Sequence, residues 1–140
     1  MDSLDIVTTA RKWLGTPFHH QGRVPNVGLD CVGLVIQVAK ELNLSNFDTT
    51  NYSAIPDGKV LKSLCEQEMI EVPYINAQYG DVLLFKFGER PQHLGIIGDY
   101  LYGGFSIIHA YAVAGKVVET RLDDFWIQKL ISCYRLPGVD

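Results

Sequence analysis

Residues 28–42 read G-L-D-C-V-G-L-V-I-Q-V-A-K-E-L, and the rest of the chain has to be arranged around them. From Val32 the apolar side chains return at Val35, Ile36, Val38, Ala39 and Leu42, the period of a helix with one buried face. Asp30 is a favoured N-cap type, and Gly28 lets the chain turn sharply into the helix. Cys31 then falls in the first turn, where unpaired backbone N–H groups and the positive end of the dipole favour an anion. A thiol so placed can have its pKa drawn from about 8.5 into the range of about 3.5–7.5, which makes it a thiolate nucleophile. The same N–H groups can receive an oxyanion forming beside the sulfur. A lone cysteine is more often a small buried apolar residue, so this stretch alone leaves both readings open.

Working outward, residues 3–14 are expected to form a first helix capped by Asp2 or Ser3. Its apolar stripe is Ile6, Val7, Ala10, Trp13 and Leu14, and Gly15 and Pro17 stop it. Residues 16–29, T-P-F-H-H-Q-G-R-V-P-N-V-G-L, form a loop of turn residues leading into the cysteine helix. That helix should end near Asn43. Residues 45–57 are polar and irregular and read as a surface excursion, and 58–70 as a third, short helix. From Asp81 the period changes: strands are expected at 81–87, 93–98, 105–111, 115–120 and 131–136, punctuated by Gly, Pro and Asp. Helices first and strands afterwards is the order of an α+β domain. The cysteine helix should pack on an antiparallel meander sheet of about five strands.

A chain of 140 residues is long enough for one domain, 1–140, with a core that needs no staples. A net charge of −4 and scattered Lys and Arg argue against nucleic acid as a partner, since phosphate neutralisation needs a basic patch. No apolar run reaches the roughly 20 residues a bilayer span requires, so no membrane insertion is expected. The start, M-D-S-L-D-I, lacks the basic and apolar regions of a signal peptide, so another carrier is expected if the chain acts outside its host cell. Cys31, Cys65 and Cys133 are odd in number and far apart, without a C-x-x-C, which disfavours a disulfide framework or a cysteine zinc site. Cys65 and Cys133 lie in core patterns.

A nucleophilic thiol needs a base, and the base needs an orienting group. Strands 93–98 and 105–111 are joined through Tyr100 to Gly104. A hairpin centred near Leu101 puts His93 opposite His109, about 5 Å apart at Cβ if directly paired. Gly95 beside His93 leaves open space above the sheet. Side by side and facing the cysteine helix, the imidazoles make a Cys–His–His set, with His93 as base and then acid and His109 fixing its tautomer. A single strand histidine is more often a hydrogen-bonded structural residue, and it is the pairing that lifts these two above that. His19 and His20 are adjacent and point in different directions. By residue type His20, Cys31, His93 and His109 could ligate zinc, but none of the usual short ligand spacings is present, so no metal or other cofactor is expected.

Five motifs in order carry a resemblance: W-L-G-T-P-F-H-H-Q-G (13–22), G-L-D-C-V-G-L-V (28–35), G-D-V-L-L-F (80–85), H-L-G-I-I (93–97) and I-I-H-A-Y (107–111). Together they resemble the NlpC-type cell-wall peptidases, papain-like cysteine enzymes, over about Arg11 to Leu136. The likeness is strongest to phage and prophage tail-associated members. It implies Cys31 as nucleophile, His93 as general base and His109 as the orienting residue. It also implies Asp30 beside the nucleophile in substrate binding or oxyanion support, and a structural G-D turn at Gly80 and Asp81. Val32 stands where many members have Ser. Phe18 and His20 stand where many have a tyrosine aimed at the nucleophile, which makes His20 the candidate donor. The His93–His109 span is a few residues long, as a longer hairpin loop would make it.

The function this implies is hydrolysis of an amide bond in the peptidoglycan stem peptide, D-γ-glutamyl to diamino acid. The chain would ride on a phage virion tail, made in the host cytoplasm, with the stem peptide as substrate and tail proteins as partners. Two other readings remain open: a structural tail-tip component that keeps the fold, and an acyl or amide transferase on the same scaffold.

Overall fold

The computed structural model describes residues 2–52 and 59–140. Helix α1 (Ser3–Arg11) starts where the Asp2 carboxylate accepts the Leu4 N–H at 2.9 Å, satisfying one of the donors a helix start leaves free. It ends three residues short of the expected Leu14, because the chain leaves through turns up to Gly15, whose φ of +88° suits only glycine. Ile6, Val7, Ala10 and Trp13 are buried as their spacing predicts, while Leu14, beyond the helix, is exposed.

The turn-rich loop contains a small antiparallel ribbon, β1 (Arg23–Val24) with β2 (Gly28–Leu29), which delivers the chain to α2 (Cys31–Glu41). Asp30 caps α2, accepting the Gly33 N–H at 2.7 Å, and Asn43 takes a left-handed φ of +56° just past its end, where the end was expected. Burial on α2 spreads past a single stripe to Gly33 and Leu34, because the sheet covers one side and α1 and the ribbon cover others. Helix α3 (Val60–Glu68) turns Leu61 and Cys65 inward, within the expected 58–70. The excursion expected over 45–57 is described as far as Tyr52; its remainder, with Gly58, lies outside the described residues.

The remaining elements are β3 (Ile70–Val72), a single 3-10 turn (Tyr74–Asn76), β4 (Val82–Phe87), β5 (Arg90–Asp99), β6 (Phe105–Tyr111), β7 (Lys116–Arg121), the short helix α4 (Asp124–Ile127) and β8 (Leu130–Arg135). They confirm the α+β class and correct the sheet in two respects. It has six strands in the order β3-β8-β4-β5-β6-β7, and only β4 to β7 form a meander. The sixth strand, β3, is three residues long and stops at Pro73, too short to show as a period. The last strand does not join β7. Asp123 caps α4, Trp126 is buried against the sheet, and the chain crosses back to pair β8 with both β4 and β3.

Each sheet face has its own core. Val82, Leu84, Leu94, Ile96, Ile108 and Ala110 pack with α1 and α2, whereas Leu83, Phe85, Ile97, Ile107 and Cys133 pack with Trp126. By strand alternation His93 and His109 belong to the Trp126 face, which corrects the expectation that the pair faces the cysteine helix.

Candidate active site

At the start of β5 the two layers meet in a cleft of about 670 Å³, whose walls include Cys31 from α2 and His93 from β5. His109 lies behind His93, fully buried, and does not reach the cleft. The pair is in hydrogen-bond contact, His93 Nε2 to His109 Nδ1 at 2.7 Å, and His109 Nε2 lies 3.1 Å from Thr120 Oγ1 on β7.

The expected strand register is corrected. β5 and β6 pair Ile96 with Ile108 and Asp99 with Phe105, so the hairpin is centred one residue later than Leu101. Extending that register sets His109 across from Gly95, and His93 reaches it diagonally, over the glycine. A Cβ on Gly95 would sit 3.6 Å from His109 Cβ and 3.5 Å from the Phe85 ring, so the missing side chain is where the diagonal passes. Aromatic rings hold the pair: Phe87 stacks on His93 at 5.3 Å, Tyr111 on His109 at 5.2 Å, and Trp126 meets both.

This enclosure sets the protonation states. Burial, with His109 alongside, lowers His93 to about 3, and burial lowers His109 to about 4. Cys31 is half-buried, and its thiol is pushed up to about 12, first by desolvation and then by the Asp30 charge; backbone hydrogen bonds from Leu94, Val32 and Cys31 itself pull the other way. This overturns the expectation of a resting thiolate, because desolvation and an adjacent carboxylate outweigh the helix dipole. Among the described residues Cys31 and His93 share no hydrogen bond, so the cleft they both line holds a neutral thiol and a neutral imidazole.

Both histidines bind protons less readily folded than unfolded, where the pKa is about 6.5. Their contribution is therefore present above about pH 6.5 and is lost as pH falls toward their folded values. Urea unfolding at pH 7.5 and 5.5 is expected to show a loss of about 2–3 kcal/mol from the two together. Equal stability at the two pH values would mean that the imidazoles titrate normally.

Asp30 anchors the cleft wall. Its Oδ1 accepts Gly33 N–H at 2.7 Å and Arg23 Nη1 at 3.2 Å, and its Oδ2 accepts Gln21 N–H and Tyr52 O–H, both at 2.7 Å. Arg23 also donates to Asp48, to the Thr49 carbonyl and to Tyr52 Oη, while Gln21 holds the carbonyls of Thr50 and Tyr52. These bonds strap residues 48–52 across the start of α2. Burial and the Asp30 charge raise the Tyr52 phenol, so it remains a donor. His20 lines the same wall, its Nδ1 4.0 Å from Asp30 Oδ2 and its ring edge-on to Tyr52 at 5.7 Å, while His19 turns away to the His20 carbonyl. Tyr52, Arg23 and Thr120 escape a sequence reading: each is a single polar residue in a loop or at a sheet edge, and no spacing marks it. No group of three or more His, Cys, Asp or Glu among the described residues is arranged to hold a metal.

The NlpC/P60 family model matches residues 15–135. An NlpC/P60 family protein from Bacillus cereus superposes with a TM-score of 0.69 at 20% identity, over 97% of this chain and 40% of that one. A lipoprotein-like NLP/P60 protein from Staphylococcus aureus gives 0.65 at 23% identity, over 97% and 41%. The NlpC/p60 domain of the peptidoglycan hydrolase SagA gives 0.59 at 23% identity, over 97% and 100%. The chain thus spans about two fifths of the first two proteins and the whole of the third domain. A search of curated proteins returned no match.

Proposed function

The chain belongs to the NlpC/P60 family, and from that premise we propose that it is a cysteine peptidase of the bacterial cell wall, cutting an amide bond in the peptidoglycan stem peptide. One arrangement carries the reading: Cys31 and His93 wall the same cleft, and His93 is backed by His109 at 2.7 Å. The bond we assign is D-γ-glutamyl to diamino acid, on the resemblance of the five motifs.

With thiol and imidazole both neutral at rest, His93 takes the thiol proton on Nδ1 as Cys31 Sγ attacks the carbonyl carbon. The oxyanion forms beside the Cys31 N–H at the mouth of α2. The tetrahedral intermediate collapses by expelling the amine, which receives the proton from His93, and leaves a thioester. His93 then removes a proton from water as it attacks the thioester and returns that proton to the departing sulfur, and the carboxylic acid released ionises into solvent. Asp30 is an anion and cannot itself stabilise an oxyanion. Its part is to fix the N–H groups at the start of α2 and, with His20 and Tyr52, to form the wall along which the peptide lies.

The test is digestion of purified diamino-acid-type peptidoglycan, with fragments read by mass spectrometry. Fragments ending in a new γ-D-glutamyl carboxylate, absent after iodoacetamide treatment, are the expected result; cleavage at another amide would reassign the bond. One observation favours a second reading, a structural component that keeps the fold: among the described residues Cys31 and His93 line one cleft without sharing a hydrogen bond. No cleavage, together with a Cys31 inert to alkylation, would select it. The setting we propose is a phage tail, on the likeness of the T-P-F-H-H-Q loop, and purified virions should carry the chain.

A further inference from the structure

Both ring nitrogens of His109 have a partner, His93 Nε2 at 2.7 Å and Thr120 Oγ1 at 3.1 Å. His109 has no exposed surface, whereas Thr120 is half-buried and can turn its own O–H outward. A neutral imidazole carries one ring proton, so the relay can run in only two directions. In the first, His93 Nε2–H donates to His109 Nδ1, His109 carries its proton on Nε2 and donates to Thr120, and His93 Nδ1 is a free lone pair. In the second, Thr120 donates to His109 Nε2, His109 Nδ1–H donates to His93 Nε2, and the His93 proton sits on Nδ1. Only the first leaves His93 able to take a proton from sulfur.

We propose that Thr120 is a positioning residue that holds this relay in its productive direction by accepting the His109 Nε2–H. The inference rests on reading His93 as the base, and it adds a fourth member to the set. Without the hydroxyl, the productive direction strands a buried N–H donor. The reverse direction strands only an acceptor lone pair, which buried sites tolerate more readily. Loss of the acceptor therefore turns the relay round, with the protein otherwise unchanged.

Thr120→Val keeps the shape and removes the acceptor; Thr120→Ser keeps the acceptor. Imidazole ¹⁵N spectra of the full chain distinguish Nε2–H from Nδ1–H rings. Wild type and Thr120→Ser are expected to show Nε2–H on both His93 and His109, and Thr120→Val to move both toward Nδ1–H. On the wall peptide, kcat of Thr120→Val should fall about 10–100-fold with KM little changed, and Thr120→Ser should stay close to wild type. Wild-type tautomers retained in Thr120→Val, Nδ1–H on His109 in the wild type, or a kcat loss that Ser does not rescue would each overturn the proposal. The nitrogen readout needs no turnover. A chain inert on every wall substrate defeats the peptidase reading, yet its spectra still decide the direction of the relay and the part Thr120 plays in it.

Discussion

Cys31→Ala is expected to lower stem-peptide hydrolysis by at least about 10³-fold while leaving the unfolding midpoint in place. The residue is half-buried, so losing one sulfur opens little cavity, but among the described residues no other thiol lines the cleft. Cys31→Ser should be nearly as poor, since a neutral His93 is a weak base for a hydroxyl. His93→Ala should fall in the same range, and the double variant should be little worse than either single one, because nucleophile and base act as a unit. Appreciable turnover in Cys31→Ala would remove the thiol from the chemistry. The same geometry sets the pH behaviour of the free enzyme. With the thiol held up at about 12, alkylation by iodoacetamide should climb about tenfold per pH unit between 7 and 9. A rate flat across that range would mean a thiolate–imidazolium pair in the resting enzyme, contrary to the structure.

Gly33→Ala is expected to destabilise the protein by about 4 kcal/mol or more, enough to leave much of it unfolded at 37 °C. A Cβ there would lie 2.1 Å from the Gly22 carbonyl oxygen and 2.9 Å from Arg23 Nη1. The first of these is backbone and cannot swing aside. Either α2 lifts from the loop or residues 22–23 move, and both responses break the bonds gathered at Asp30. Loss of the cap alone is worth about 1 kcal/mol, and Asp30 left buried without Arg23 adds more. Thermal unfolding measures the effect directly; a midpoint within a few degrees of wild type would show that the loop yields. Ala at this position is otherwise a better helix former than Gly, so propensity predicts the opposite sign.

The helix around Cys31 was legible because three independent signals coincide there: a cap at Asp30, a helical period from Val32 and a stop near Asn43. The meander strands were legible from their alternation. The histidine pair was foreseen as a pair, though not its diagonal approach, because register depends on where the turn closes between Tyr100 and Gly104. Strand β3 was too short to show a period, and the return of β8 to β4 is decided by Trp126 docking on a sheet face, a contact between distant residues. The direction of the Cys31 shift was misread for a related reason. Helix position is written locally, but the desolvation that outweighs it comes from elements far along the chain. Tyr52 was hidden in a polar loop, where bonds to Asp30, Arg23 and Gln21, residues distant in sequence, give it a seat.

That return of β8 also orders events in time. Strand β4 pairs on one side with its immediate successor and on the other with a partner about fifty residues downstream, so the sheet has a high contact order at its centre. During synthesis β4 to β7 can zip as they emerge, but β4 keeps an open edge, and the histidines lack their Trp126 wall, until residues 126–135 have left the ribosome. The nascent chain therefore carries Cys31 before the His93–His109 pair has its full aromatic wall. The wall behind the histidines is completed in the same late step that covers the open edge of β4.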